Sequence, residues 1–176
     1  MRRCAEASKS IHCTDCAVFA HPPGEATAAR LRTDMNQWDR VEILLVEDNL
    51  SDAELTVRAF RKIGATQKIL RLADGVEALD FLFRKGRFSD RDQALPKLIL
   101  LDLKMPRVGG IEFLQRLRQD AATMNIAVAI LTSSTVEKLS FDGQDLDVRD
   151  YLLKPVNPDS LIDLVKYAGL QDSQPS

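Results

Sequence analysis

From residue 41 onward the chain alternates short, mostly apolar runs with amphipathic stretches, five times over. An apolar run of strand length needs cover on both faces, and a helix between successive runs supplies it. The pattern therefore specifies a five-stranded parallel sheet with helices on both faces. Val41-Glu-Ile-Leu-Leu-Val46 reads as the first strand. A helix from Ser51 to Ile63 follows, with Leu55, Ala59, Phe60 and Ile63 on one face and a stop at Gly64. Lys68 to Leu72 reads as the second strand, Val76 to Lys85 as the second helix, and Lys97 to Leu101 as a fully buried third strand after a polar connection, Gly86 to Pro96. A third helix is expected from Ile111 to Arg118 and a fourth strand from Ile126 to Leu131. A weakly periodic fourth helix around Val136 to Leu139, close to Gly143, is expected to be short or mobile. Asp150 to Leu153 is the fifth strand, and a last helix opens at Asn157-Pro158 and closes at Gly169.

The 176 residues suffice for one folded unit. Residues 1–40 contain Pro22-Pro23-Gly24 and no sustained apolar period, so they are expected to be a disordered tail, with 41–169 the domain and 170–176 a short second tail. Trp38 falls outside the domain on this division, and Met35 offers an alternative start just ahead of the first strand. All three cysteines, Cys4, Cys13 and Cys16, lie in the first tail and cannot staple the rest. Cys13-Thr-Asp-Cys16, flanked by His12 and His21, has the spacing of half a zinc site or a redox pair, but it lacks a second cysteine pair and a βαβ setting, and reads as incidental. With 45% hydrophobic residues and a net charge of -2, the chain shows no polycation signal for nucleic acid or an anionic membrane. No apolar run reaches the roughly 18 to 20 residues of a membrane span, no secretory leader opens the chain, and the expected location is the cytoplasm.

In open α/β sheets ligands bind beyond the carboxyl ends of the strands. There the first strand runs into Glu47-Asp48, the third into Asp102, the fourth into Thr132 and the fifth into Lys154-Pro155. Taken singly, each has a structural reading: a solvated turn for Glu47-Asp48, a cap for Asp102 or Thr132, a loop for Lys154-Pro155, core filling for Tyr151. Together they sit at successive strand ends of one unit, where a single site can use them all. Three carboxylates at one mouth repel each other, and a hard divalent cation such as Mg²⁺ relieves that repulsion while leaving one carboxylate free to react.

Ile43-Leu-Leu-Val-Glu-Asp-Asn49, Leu100-Leu-Asp-Leu-Lys-Met-Pro106 with Gly110, Leu131-Thr-Ser-Ser134 and Tyr151-Leu-Leu-Lys-Pro155 carry a resemblance to the receiver domain of two-component response regulators over residues 41 to 168. The resemblance implies a flavodoxin-like doubly wound fold, with Asp102 as phosphoacceptor. It further implies Mg²⁺ held by Glu47, Asp48, Asp102 and the backbone carbonyl of Lys104, phosphoryl oxygens bound by Thr132 and Lys154, and Tyr151 as an aromatic switch. Such a protein catalyses only its own phosphorylation and dephosphorylation. The long connection after Ala78-Leu-Asp-Phe-Leu82 is similar to that of single-domain regulators that partner phytochrome-type histidine kinases. A sensor histidine kinase is thus the implied donor. With only seven residues after Gly169, the signal is expected to leave by protein contact, including a homodimer through the fourth helix, fifth strand and fifth helix. Asp147-Val-Arg-Asp150 and Gly109 depart from frequent family residues without touching the phosphorylation set. Lys104 and Ser134, two residues beyond Asp102 and Thr132, border the in-line approach of water and are expected to give a slowly decaying phosphoryl group.

Other classes fit less well. A phosphatase of the haloacid dehalogenase type wants a second acid two residues after the nucleophile, where this chain has Lys104. A phosphotransfer histidine is excluded because His12 and His21 both lie in the tail. A pseudo-receiver, an interaction module that keeps the fold without the phosphorylation, is the runner-up, since nothing essential to phosphorylation is missing.

Overall fold

The apolar runs pair in the computed structural model, which describes residues 18–19, 38, 40–91, 94–134 and 147–170. The five expected strands are all present: β2 (Ile43–Val46), β3 (Ile69–Leu72), β4 (Leu98–Asp102), β5 (Ala127–Thr132) and β6 (Asp150–Leu153). A two-residue strand, β1 (Val18–Phe19), adds an edge beyond the five-stranded expectation, so the sheet is six-stranded in the order β1-β3-β2-β4-β5-β6. Every pairing is parallel. Among the described residues, four α-helices connect or flank the strands: α1 (Leu50–Lys62), α2 (Gly75–Leu82), α3 (Gly110–Gln119) and α4 (Pro158–Tyr167).

Helices α1, α2 and α4 begin where side chains satisfy their first amides. The Asn49 side chain accepts from the Ser51 and Asp52 N–H groups, Asp74 from Val76 and Glu77, and Asn157 from Asp159. Alternation along β2 sends Leu44 and Val46 to one core and Ile43 and Leu45 to the other. The first core gathers Phe81 of α2 and Phe113 and Leu117 of α3, and the second gathers Phe60 of α1 and Leu161 and Leu164 of α4. No residue of β2 or β4 reaches solvent appreciably, which is why these strands contain apolar residues on both sides.

From β2 the chain passes to β3 on one side and then crosses to β4 on the other. The carboxyl ends of β2 and β4 therefore flank the topological switch point, the place where such a sheet opens a crevice.

Trp38 corrects the expectation that it lies outside the folded unit. It is 7% exposed and meets Phe88 edge to face at 5.0 Å, with Phe88 in turn edge to face with Phe81 at 5.3 Å. The connection Gly86 to Pro96 is likewise less polar than its composition implies, because a 3₁₀ turn at Gly86–Phe88 turns Phe88 into the core. The fourth helix expected near Val136 to Leu139, the Cys13 and Cys16 pair and the final residues 171–176 lie outside the described residues.

Candidate functional site

Glu47 leaves β2 still tied to the sheet, its N–H donating to the Leu72 carbonyl at 3.0 Å. Its side chain is fully buried, and Oε1 accepts from the Asn49 N–H at 3.1 Å. Asp48, next in sequence, is exposed. Asp102 ends β4, and one carboxylate oxygen from each of Glu47, Asp48 and Asp102 can be chosen so that all lie within 4.8 Å of one another. The Lys104 N–H donates to Asp102 Oδ1 at 2.9 Å, which orients the carboxylate and leaves Oδ2 toward the cluster.

Lys154 closes the site from the end of β6. Its N–H donates to the Thr132 carbonyl at 2.8 Å, and the Lys154-Pro155 peptide bond is cis. Nζ lies 2.7 Å from Asp102 Oδ2, 2.5 Å from Glu47 Oε2 and 3.3 Å from Asp52 Oδ2. Burial pushes the Glu47 carboxyl up, the Lys154 ammonium pulls it back down, and the neighbouring Asp102 charge adds to the rise, leaving it above the usual carboxylate range. For Lys154, burial works against the ammonium, yet Asp102 and Glu47 outweigh it and raise the pKa well above the ordinary lysine value. Lys154 is thus cationic at any physiological pH.

One ammonium cannot neutralise the three carboxylates that touch it, and Asp48 adds a fourth. Clustered oxygen donors with uncompensated negative charge are the donor set a hard divalent cation selects, so these residues fit Mg²⁺.

Two loops brace the floor. A Cβ on Gly110 would stand 2.7 Å from the Leu103 Cα and 2.8 Å from the Asp102 carbonyl oxygen, so only glycine lets α3 start this close behind Asp102. Gly75 has the same tight relation to the Val108 carbonyl, and the buried Asp74 carboxylate pairs with Arg107, tying the β3–α2 loop to the loop after Asp102.

Of the residues singled out from the sequence, Glu47, Asp48, Asp102 and Lys154 converge, and the Lys104 backbone joins them through its amide. Thr132 is buried at the end of β5, where its hydroxyl donates to the Ser134 carbonyl at 3.0 Å. Tyr151 stands apart from the carboxylates, on β6 opposite Ile130 and packed against the core that contains Phe113. Two contributors were not anticipated. Asp52 reaches Lys154 from the first turn of α1, and Arg71 in β3 donates to the carbonyls of Glu47 and Asp48 at 3.0 and 2.7 Å. The one available signal for Arg71 was a charged residue inside the apolar run Ile69-Leu-Arg-Leu72.

Fold and site together define a doubly wound α/β protein with an acidic, lysine-closed pocket at its switch point. The model of the response regulator receiver domain matches residues 43–166, and the chain belongs to that family. The response regulator Rcp1 of Synechocystis sp. is 33% identical over 124 residues, 70% of this chain and 83% of Rcp1. A Mn²⁺-bound crystal structure of Rcp1 superposes with a TM-score of 0.59 at 30% identity, covering 76% of this chain and 98% of that one. The bacteriophytochrome response regulator RtBRR gives a TM-score of 0.70 at 36% identity, covering 76% and 81% of the two chains. A protein of Methanothrix harundinacea named "Probable methanogenesis regulatory protein FilR2" is 38% identical over 120 residues, 68% of this chain and 75% of that one.

Proposed function

We propose that this response regulator accepts a phosphoryl group on Asp102 in a Mg²⁺-dependent reaction. The observation that carries the reading is the Asp102 carboxylate held between the Lys104 amide and the Lys154 ammonium, beside the Glu47 and Asp48 carboxylates. Glu47, Asp48, Asp102 and the Lys104 carbonyl would hold the ion, which when bound supplies positive charge to the phosphoryl oxygens. Support for a divalent ion here comes from the donor set and from the Mn²⁺-bound relative.

Asp102 attacks phosphorus in line. The donor is a phosphohistidine of a sensor histidine kinase: its P–N bond breaks, a P–O bond to Asp102 forms, and the imidazole nitrogen leaves with the electron pair and takes up a proton. Lys154 shifts from pairing with the free carboxylate to pairing with the transferred group, and the Thr132 hydroxyl turns from Ser134 to donate to a phosphoryl oxygen. That movement vacates space beneath Thr132 into which Tyr151 turns, changing the surface of β6 and α4. The family resemblance and the likeness to RtBRR favour a phytochrome-type kinase as donor, and a homodimer through the Tyr151 face as one route for the signal.

Intact mass after incubation with Mg²⁺ and acetyl phosphate tests the acceptor. A gain of one phosphoryl mass by wild type and none by Asp102→Asn is expected. An equal gain by both proteins contradicts the assignment.

A further inference from the structure

Beyond the acidic residues themselves, something must hold the turn that presents them. Glu47 and Asp48 lie past the last paired residues of the β2–β3 ladder, Val46 and Leu72, on a turn that leads into α1. We propose that Arg71 is a positioning residue for the metal site: its guanidinium grips this turn by the carbonyls of Glu47 and Asp48 and so sets where their carboxylates stand. The proposal rests on the Mg²⁺ reading above.

Nε donates to the Glu47 carbonyl at 3.0 Å and one terminal nitrogen to the Asp48 carbonyl at 2.7 Å. Two successive carbonyls are thereby read by one planar fork, a geometry that a lysine ammonium on a flexible stem does not reproduce. The base of the fork is itself fixed. Arg71 is paired in the sheet with Leu45 on one side and Phe19 on the other, so its Cα has little freedom. It is half-buried in a strand whose other residues are buried and apolar, a position where a charged side chain is costly without a partner. Its positive charge also sits behind a turn bearing two of the clustered carboxylates, where it opposes their repulsion. The other end of the turn is held independently, by the Asn49 N–H on Glu47 Oε1 and the Asn49 cap on α1. Without Arg71 the two peptide planes that carry these carbonyls can turn about the backbone bonds of Asp48 that join them, and the carboxylates move with them.

Three measurements on wild type, Arg71→Lys and Arg71→Ala separate this role from a general structural one, with Arg71→Gln replacing Arg71→Ala if the latter does not fold. Calorimetric titration with Mg²⁺ should show affinity lowered roughly 10-fold in Arg71→Ala, the scale on which supporting partners of metal ligands act, and by less in Arg71→Lys. In phosphorylation by acetyl phosphate, the half-saturating Mg²⁺ concentration should rise by the same factor while the rate at saturating Mg²⁺ returns to that of wild type. In the metal-free protein, the Asp48 and Asn49 amides should exchange hydrogen faster in Arg71→Ala. Wild-type binding with unchanged Mg²⁺ affinity in Arg71→Ala overturns the proposal, as does a lowered saturating rate with unchanged affinity. If wild type itself binds no Mg²⁺, the metal reading fails and the positioning role fails with it, while the exchange rates still tell whether Arg71 grips the turn.

Discussion

Asp102 and Glu47 are joined through the Lys154 ammonium, which pairs with both in a largely buried network. Asp48 is different: it is exposed, and its carboxylate stands beside the cluster without an ion pair to Lys154. Asp48→Asn is therefore expected to fold normally and to weaken Mg²⁺ binding by more than the roughly 10-fold that losing a supporting partner costs. Unchanged affinity in calorimetry contradicts its place as a ligand. The raised Glu47 carboxyl predicts the sign of a pH dependence. Its folded-state pKa exceeds the ordinary 4.5, so its contribution to stability is greatest below 4.5 and is lost as pH rises through the raised value. Protons and Mg²⁺ then compete for one carboxylate, and the rise in thermal midpoint caused by Mg²⁺ should shrink on acidification through that window. Glu47→Gln should flatten the dependence, and a profile identical to wild type would exclude Glu47 as its source. If the Lys104 side chain borders the water's approach, as proposed, Lys104→Asn is expected to speed loss of the phosphoryl group after donor removal; unchanged or slower decay contradicts shielding. The acidic and lysine positions were legible in the sequence because each follows an apolar run and the fold brings strand ends together. Asp52 and Arg71 were not, because their roles depend on how a helix turn and a strand side chain are aimed across 102 and 24 residues of sequence separation from Lys154 and Glu47.

Among the elements, the strands were read to within about two residues because short, mostly apolar runs that alternate with amphipathic stretches mark strands of a parallel sheet. Trp38, ahead of β2, was misread. Trp38 stands alone among polar neighbours, with no period to betray that Phe88, fifty positions on, provides its partner. Arg87 lies over both rings and pairs with Glu77, so the packing joins the approach to β2, the 3₁₀ turn and α2. Phe88→Ala removes the ring between Trp38 and Phe81 and is expected to cost roughly 3–5 kcal/mol of stability. In urea, Trp38 emission should change in the same transition as the far-ultraviolet circular dichroism. Two separate transitions would show that Trp38 is not part of the cooperative core. β1 escaped notice for a simpler reason: two residues carry no alternation, and only pairing with Leu70 and Arg71 defines them as a strand.

At the scale of the molecule, the acidic groups gather at the carboxyl ends of the central strands while Tyr151 and Leu153 lie on β6, the last strand in the sheet order, Leu153 being 48% exposed. Phosphorylation at the first is expected to be felt at the second. Sedimentation should show the phosphorylated protein dimerising at lower concentration than the unmodified one, and identical behaviour over a wide concentration range would remove the homodimer as an output. All of this depends on where the phosphoryl group goes. Treatment with acetyl phosphate, with and without Mg²⁺, followed by borohydride reduction converts an aspartyl phosphate to homoserine, which peptide sequencing by mass spectrometry locates. Homoserine at position 102, formed only with Mg²⁺, is the expected result; homoserine elsewhere, or none with Mg²⁺ present, contradicts a phosphoacceptor at Asp102.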